Sequence, residues 1–181
     1  IVTSTANHAI EQILTGLTEA NGDRCWSITG PYGTGKSAFG LFLTDLLNST
    51  APKHPVAREL REQYGLGRQT LLPVVVVGQR QPFVPSLLRA IADAFRLVDS
   101  QIARAAQRLS LETSLDDDVV VNLVIRALDV TMRVRRGGVL FVVDEFGKFL
   151  EFAAMHPDQQ DLMVLQRLAE TIARSSQPAV F

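Results

Sequence analysis

The apolar positions of the chain fall into two kinds of run. In the first kind they repeat at helical spacing. Ile10, Ile13, Leu14 and Leu17 share one face of a helix expected over 4–20, which Asn21, Gly22 and Asp23 end. Phe39, Phe42, Leu43, Leu46 and Leu47 mark a second helix, and Leu88, Ile91, Phe95 and Val98 a third over 85–98. Further helices are expected over 100–109, 116–134, 146–154 and 159–175, with a short one over 56–64 inside a polar connector of residues 48–70. In the second kind the run has no period. LLPVVVVG over 71–78 and GVLFVV over 138–143 are apolar runs rich in β-branched valine, as expected of strands buried on both faces of a parallel sheet. The shorter run CWSIT over 25–29 reads as another strand, and Gln177 to Phe181 as the first residues of one more. Strands alternating with helices at these intervals predict an α/β fold, a three-layer α/β/α sandwich around a mainly parallel sheet with right-handed crossovers.

Between the CWSIT strand and its helix lies GPYGTGKS, Gly30 to Ser37, which fits G-x-x-x-x-G-K-[ST] at every fixed position. Glycines at 30, 33 and 35 let the backbone turn its N–H groups towards phosphate oxygens. The helix that follows offers its positive end to the same anion. Lys36 would reach the β- and γ-phosphates and the Ser37 hydroxyl would ligate Mg²⁺. The expected ATP-binding set is Gly30, Pro31, Tyr32, Gly33, Thr34, Gly35, Lys36, Ser37 and Ala38. Tyr32 reads equally as a nucleotide neighbour or a surface residue.

The second constellation closes the strand over 138–143. A run of apolar residues ending in Asp144-Glu145 carries carboxylates to the C-terminal edge of a parallel sheet, where ligands bind in open α/β folds. Asp144 would hold Mg²⁺ opposite Ser37. Glu145 would orient or deprotonate the attacking water. The plainer account of the pair is a helix N-cap.

Composition narrows the choice. The chain has 181 residues, 46% of them hydrophobic and 20% charged, which suits one globular domain. A net charge of −1 supplies no basic field for nucleic acid. The single Cys25 forms no internal disulfide and reads as a packing thiol. No apolar run reaches membrane-spanning length and no signal-peptide pattern opens the chain, so a cytoplasmic protein is expected. The start at Ile1 without methionine and the strand that begins near Ala179 suggest a fragment of a larger protein.

GPYGTGKS and VLFVVDE (139–145) resemble the Walker A and Walker B motifs of P-loop ATPases of the additional-strand, catalytic-glutamate division. Within it the chain is similar to AAA+, origin-recognition and STAND-like ATPases. The resemblance implies an extra strand between the two Walker strands, which the strand near Ala179 would supply, ending in a sensor residue past Phe181. The interval from Lys36 to Asp144 exceeds that of a compact AAA+ core, and the excess is expected as a helical insert over 100–134. The phrase DEFGKFLE (144–151) looks like large prokaryotic ATPases of DNA processing or phage defence.

The resemblance implies a Mg²⁺-dependent ATPase motor or remodelling domain that works as a homo-oligomer or with other subunits. DNA is a candidate partner. A slow nucleotide-dependent switch of STAND type is the alternative. A small-molecule kinase needs no glutamate after the strand-end aspartate, and no [NT]-K-x-D motif marks a GTPase. Arg80, just past the 71–78 strand, is the arginine nearest the phosphate edge by topology, and Gln79-Arg80 are candidates to touch a partner or nucleotide. Lys148 is set down as a solvated helix position, and the arginines over 89–108 and 133–136 as solvated faces and helix-end charges. His8, His54 and His156 lack metal-ligand spacing with one another or with Cys25.

Overall fold

The computed structural model describes residues 3–19, 22–135, 137–159 and 161–181. Ala20 and Asn21, at the expected end of the first helix, lie outside the described residues. So does Arg136 of the C-terminal arginine group. The elements in order are α1 (Ser4–Thr18), α2 (Lys36–Asn48), α3 (Pro55–Gln63), β1 (Leu71–Val77), α4 (Phe83–Phe95), α5 (Ser100–Leu109), α6 (Asp117–Arg135), β2 (Gly138–Asp144), α7 (Gly147–Met155), α8 (Met163–Arg174) and β3 (Ala179–Val180). The fold is mixed α/β with a small parallel sheet in the order β1-β2-β3. No described helix is long and apolar enough to cross a membrane.

Alternate strand residues feed two apolar clusters, as the period of two requires. Leu72, Val74, Val76, Val139, Phe141 and Ala179 join α4, α5, α6, α8 and Phe149 of α7. Leu71, Leu140 and Val180 join the apolar faces of α1, α2 and α3. The stretch over 100–134 is part of the first cluster rather than a separate body. Ile102 and Ala106 of α5 and Val120, Val124, Ala127 and Leu128 of α6 are buried there.

Several expectations are corrected. The lead-in over 25–29 is not a regular strand. It makes a short piece of ladder, Phe181 N–H to the Arg24 carbonyl (2.8 Å) and Trp26 N–H to the Phe181 carbonyl (2.7 Å). Ser27, Ile28 and Thr29 are exposed. Nor is β1 buried on both faces. Val75 and Val77 are 44% and 55% exposed, although α2 contacts both β1 and β2. Pro73 is tolerated in β1, since an edge strand can forgo one ladder donor.

The third helix begins two residues before the expected Pro85, and Val98 falls beyond its end. Its first amides have a tertiary partner: Asp161 accepts from Phe83 N–H (3.0 Å) and Val84 N–H (2.5 Å). That same use of Asp161 displaces the last helix. Residues 157–159 form a short 3₁₀ turn and α8 starts only at Met163.

Two arginines bind backbone rather than solvent. Arg61, buried, donates to the carbonyls of Leu46, Gly67 and Gln69 and so orders the polar connector. Arg24 donates to the Ser175 and Gln177 carbonyls (2.7 and 2.6 Å), seating the segment that enters β3. As a result β3 lies between β2 and the lead-in to the glycine loop.

Candidate functional site

The glycine loop is shaped by its own residues. Gly33 and Gly35 have φ of +81° and +88°, a left-handed backbone that a side chain would strain. A Cβ at either would meet nothing within 4 Å, so conformation and not space demands glycine there. Gly35 is also the N-cap of α2 and supplies no side-chain acceptor. The first amides of α2 are therefore not capped by a side chain and stand available to an anion. Thr34 Oγ1 donates to the Pro31 carbonyl (2.8 Å) and Lys36 Nζ to the carbonyls of Gly30 and Pro31 (both 2.8 Å). The lysine thus closes the loop on itself. Tyr32 is fully exposed at the tip, and Ser37 and Ala38 are exposed on the first turn of the helix.

The acidic pair is held by tertiary contacts. Asp144 ends β2 in register with Val77, and its carbonyl accepts from Gly78 N–H (2.8 Å). The Asp144 carboxylate accepts the N–H of Glu145 (2.9 Å). Glu145 is the described non-glycine residue with positive φ, +52°. Such a conformation costs about 1–3 kcal/mol and persists only where neighbours impose it. Gly78 is one of them: a Cβ there would stand 2.1 Å from the Glu145 carbonyl oxygen, so only glycine lets the end of β1 approach this closely. The other is α7, whose Lys148 donates its N–H to the Glu145 carbonyl (3.0 Å) and pairs its ammonium with the Glu145 carboxylate.

One cavity of about 550 Å³ brings the two constellations together. Lys36, Ser37, Asp144, Glu145 and Gly147 line it. Its interior is apolar, with Trp26 and Ile28 on one side, Val142 and Val143 on the other, and Val180 and Phe181 at the base. Asp144 and Glu145 stand at the C-terminal end of β2. Gly30 to Gly35 lie outside the lining.

Compared with protein-family models, curated proteins and solved structures, the chain matches none at a significant level. The site is read from its own residues.

Among those residues, Ser37 and Asp144 form a hydroxyl–carboxylate pair on one cavity, a donor set that suits a hard cation keeping most of its water. Among the described residues no group of three or more His, Cys, Asp or Glu gathers as a metal cluster. Arg80 is exposed and pairs with an acidic side chain. Its Nε lies 3.0 Å from Glu151 of α7. Gly78 and Lys148 are neighbours of the acidic pair; pattern reading passed over the first and set the second down as a solvated helix position. Gly78 had a signal, a glycine closing a valine run, but its meaning depends on which strand lies alongside. Lys148 had one too, the i, i+3 spacing from Glu145 on an emerging helix.

Proposed function

We propose that the chain is the ATP-binding and ATP-hydrolysing domain of a larger cytoplasmic P-loop ATPase, with the three-layer α/β/α sandwich of that class. The observation that carries this reading is the meeting of Lys36 and Ser37 with Asp144 and Glu145 at one cavity, beside a helix start without a side-chain cap. Two unrelated stretches of sequence, each predicted to serve phosphate chemistry, have little other reason to converge. In this reading the loop amides and Lys36 hold the phosphates, Ser37 and Asp144 hold Mg²⁺, and Glu145 acts on the attacking water. Bound Mg²⁺ would neutralise charge developing on the phosphoryl oxygens. Among the described residues no arginine lines the cavity, so a cation for the γ-phosphate would come from another copy or subunit, which favours an oligomeric ATPase. DNA processing or phage defence is the setting that the DEFGKFLE phrase favours.

The resting contacts of Lys36 also favour a second reading, a slow nucleotide-dependent switch. Its ammonium must leave the carbonyls of Gly30 and Pro31 before acting on nucleotide. Calorimetry with Mg·ATP tests the shared premise. The parent chain is expected to bind, and Lys36→Ala to lose most of that affinity without a change in thermal midpoint. Equal affinity in the two proteins would remove the loop from the nucleotide site.

A further inference from the structure

We propose that Lys148 is a positioning residue for Glu145, holding its carboxylate in the orientation from which it acts on water. This inference rests on the ATPase reading above. Glu145 is exposed and follows the last residue of a strand, a place where a glutamate side chain would ordinarily sample several rotamers. Here its freedom is removed from three directions. The left-handed backbone sets where the side chain leaves the chain. The Asp144 carboxylate and the Lys148 amide hold the peptide groups on either side of it. The Lys148 ammonium then takes the carboxylate itself.

Lys148 is suited to this task because α7 fixes its backbone. Phe149, the next residue, is fully buried and packs edge-on against Phe83 at 5.3 Å between ring centres. The cation is therefore anchored to the core by its neighbour, although its own head is in solvent. Arg80 and Glu151 tie the same helix to the loop after β1. A carboxylate held this way needs no reorientation when nucleotide and water arrive, and orientation of that kind affects the rate of the chemical step rather than binding.

The test uses the full chain with Lys148→Met, Lys148→Arg, Glu145→Gln and the Glu145→Gln/Lys148→Met double variant. For each, ATP affinity is measured by calorimetry, turnover by phosphate release, and folding by thermal midpoint. Lys148→Met is expected to lower kcat about tenfold with KM, affinity and midpoint unchanged, since a misplaced group loses rate before binding. Lys148→Arg is expected to restore most of that loss. In the Glu145→Gln background, Lys148→Met is expected to change nothing further, because the two act as a unit. Turnover that Lys148→Met leaves equal or raises would overturn the proposal, the second result making the pair a restraint instead. An additive loss in the double variant would also overturn it, by showing that Lys148 acts on its own. A parent chain that binds no ATP overturns the ATPase reading itself, a result distinct from any of these.

Discussion

The two arms that border the cavity are built in opposite ways. The glycine loop and the start of α2 are exposed and shaped from within, by two left-handed glycines and by hydrogen bonds that span no more than six residues. The arm made of β2 and α7 is shaped from outside. Its strand is paired with β1 along its length and with β3 at its base, and its acidic corner is pressed by Gly78 and held by α7. The loop keeps its amides in solvent and has few neighbours, whereas the carboxylate pair is seated on the packed core. The same residue type records the contrast. Gly33 and Gly35 are glycine for conformation with empty space around them, whereas Gly78 is glycine for want of space.

Removing the packing under α7 should separate the arms most strongly. Phe149→Ala is expected to cost about 3–5 kcal/mol in urea unfolding, the usual loss for a buried phenylalanine. An exposed change on the other arm, Leu41→Ala, should cost under about 0.5 kcal/mol. Similar losses at the two sites would show that the arms do not differ in their dependence on the core.

Smaller, but aimed at the contrast between glycines, is a paired substitution. Gly78→Ala sets a methyl against the Glu145 carbonyl, and about 3 kcal/mol is expected from overpacking that only backbone movement can relieve. Gly35→Ala meets no atoms and pays only for its left-handed φ, about 1 kcal/mol. Thermal midpoints in the reverse order would contradict the distinction between space and conformation.

The smallest expected effect concerns two aspartates that do the same job in the two halves. Asp45 of α2 accepts the N–H groups of His54 and Lys53, and Asp161 accepts those of Phe83 and Val84. Asp45 is partly exposed, and the His54 amide chiefly, with that of Lys53, holds its pKa below the usual carboxylate value. Asp161 is half-buried, and desolvation outweighs its two amides and pushes its pKa up. The signs therefore differ. The contribution of Asp45 to stability is present above its unfolded pKa of about 3.9 and is lost as pH falls through the lowered folded value. That of Asp161 is complete below about 3.9 and is lost as pH rises through the raised folded value. Titration of the two carboxyl groups by NMR should show displacements in opposite directions. Displacement of both downwards would mean that the amides dominate at Asp161 as well.

Legibility from sequence follows the same division. The glycine loop could be read almost whole, because its geometry depends on residue types at fixed short spacings. The strands at 71–77 and 138–144 and the faces of α1 and α2 were legible for a related reason, since their apolar periods are set by the pleat and by the helical turn. The lead-in over 25–29 read as a strand from its side chains, yet it makes only two ladder bonds, both with Phe181, because a strand also needs a partner that side-chain pattern does not specify. The start of α4 was misplaced because its cap, Asp161, lies 78 residues away from Phe83.

What the sequence by itself determined is therefore local: the α/β character, most of the elements, the glycine-rich turn before α2 and an acidic pair at a strand end. Only the tertiary structure decided that loop and pair share one cavity, that Gly78 and α7 force Glu145 into a left-handed backbone, and that Lys148 holds its carboxylate. The reason is physical. Propensity and period act over a few residues, while a site assembled from β2, α2 and α7 depends on which elements pack side by side, and the hydrophobic burial that chooses among packings is a property of the whole core.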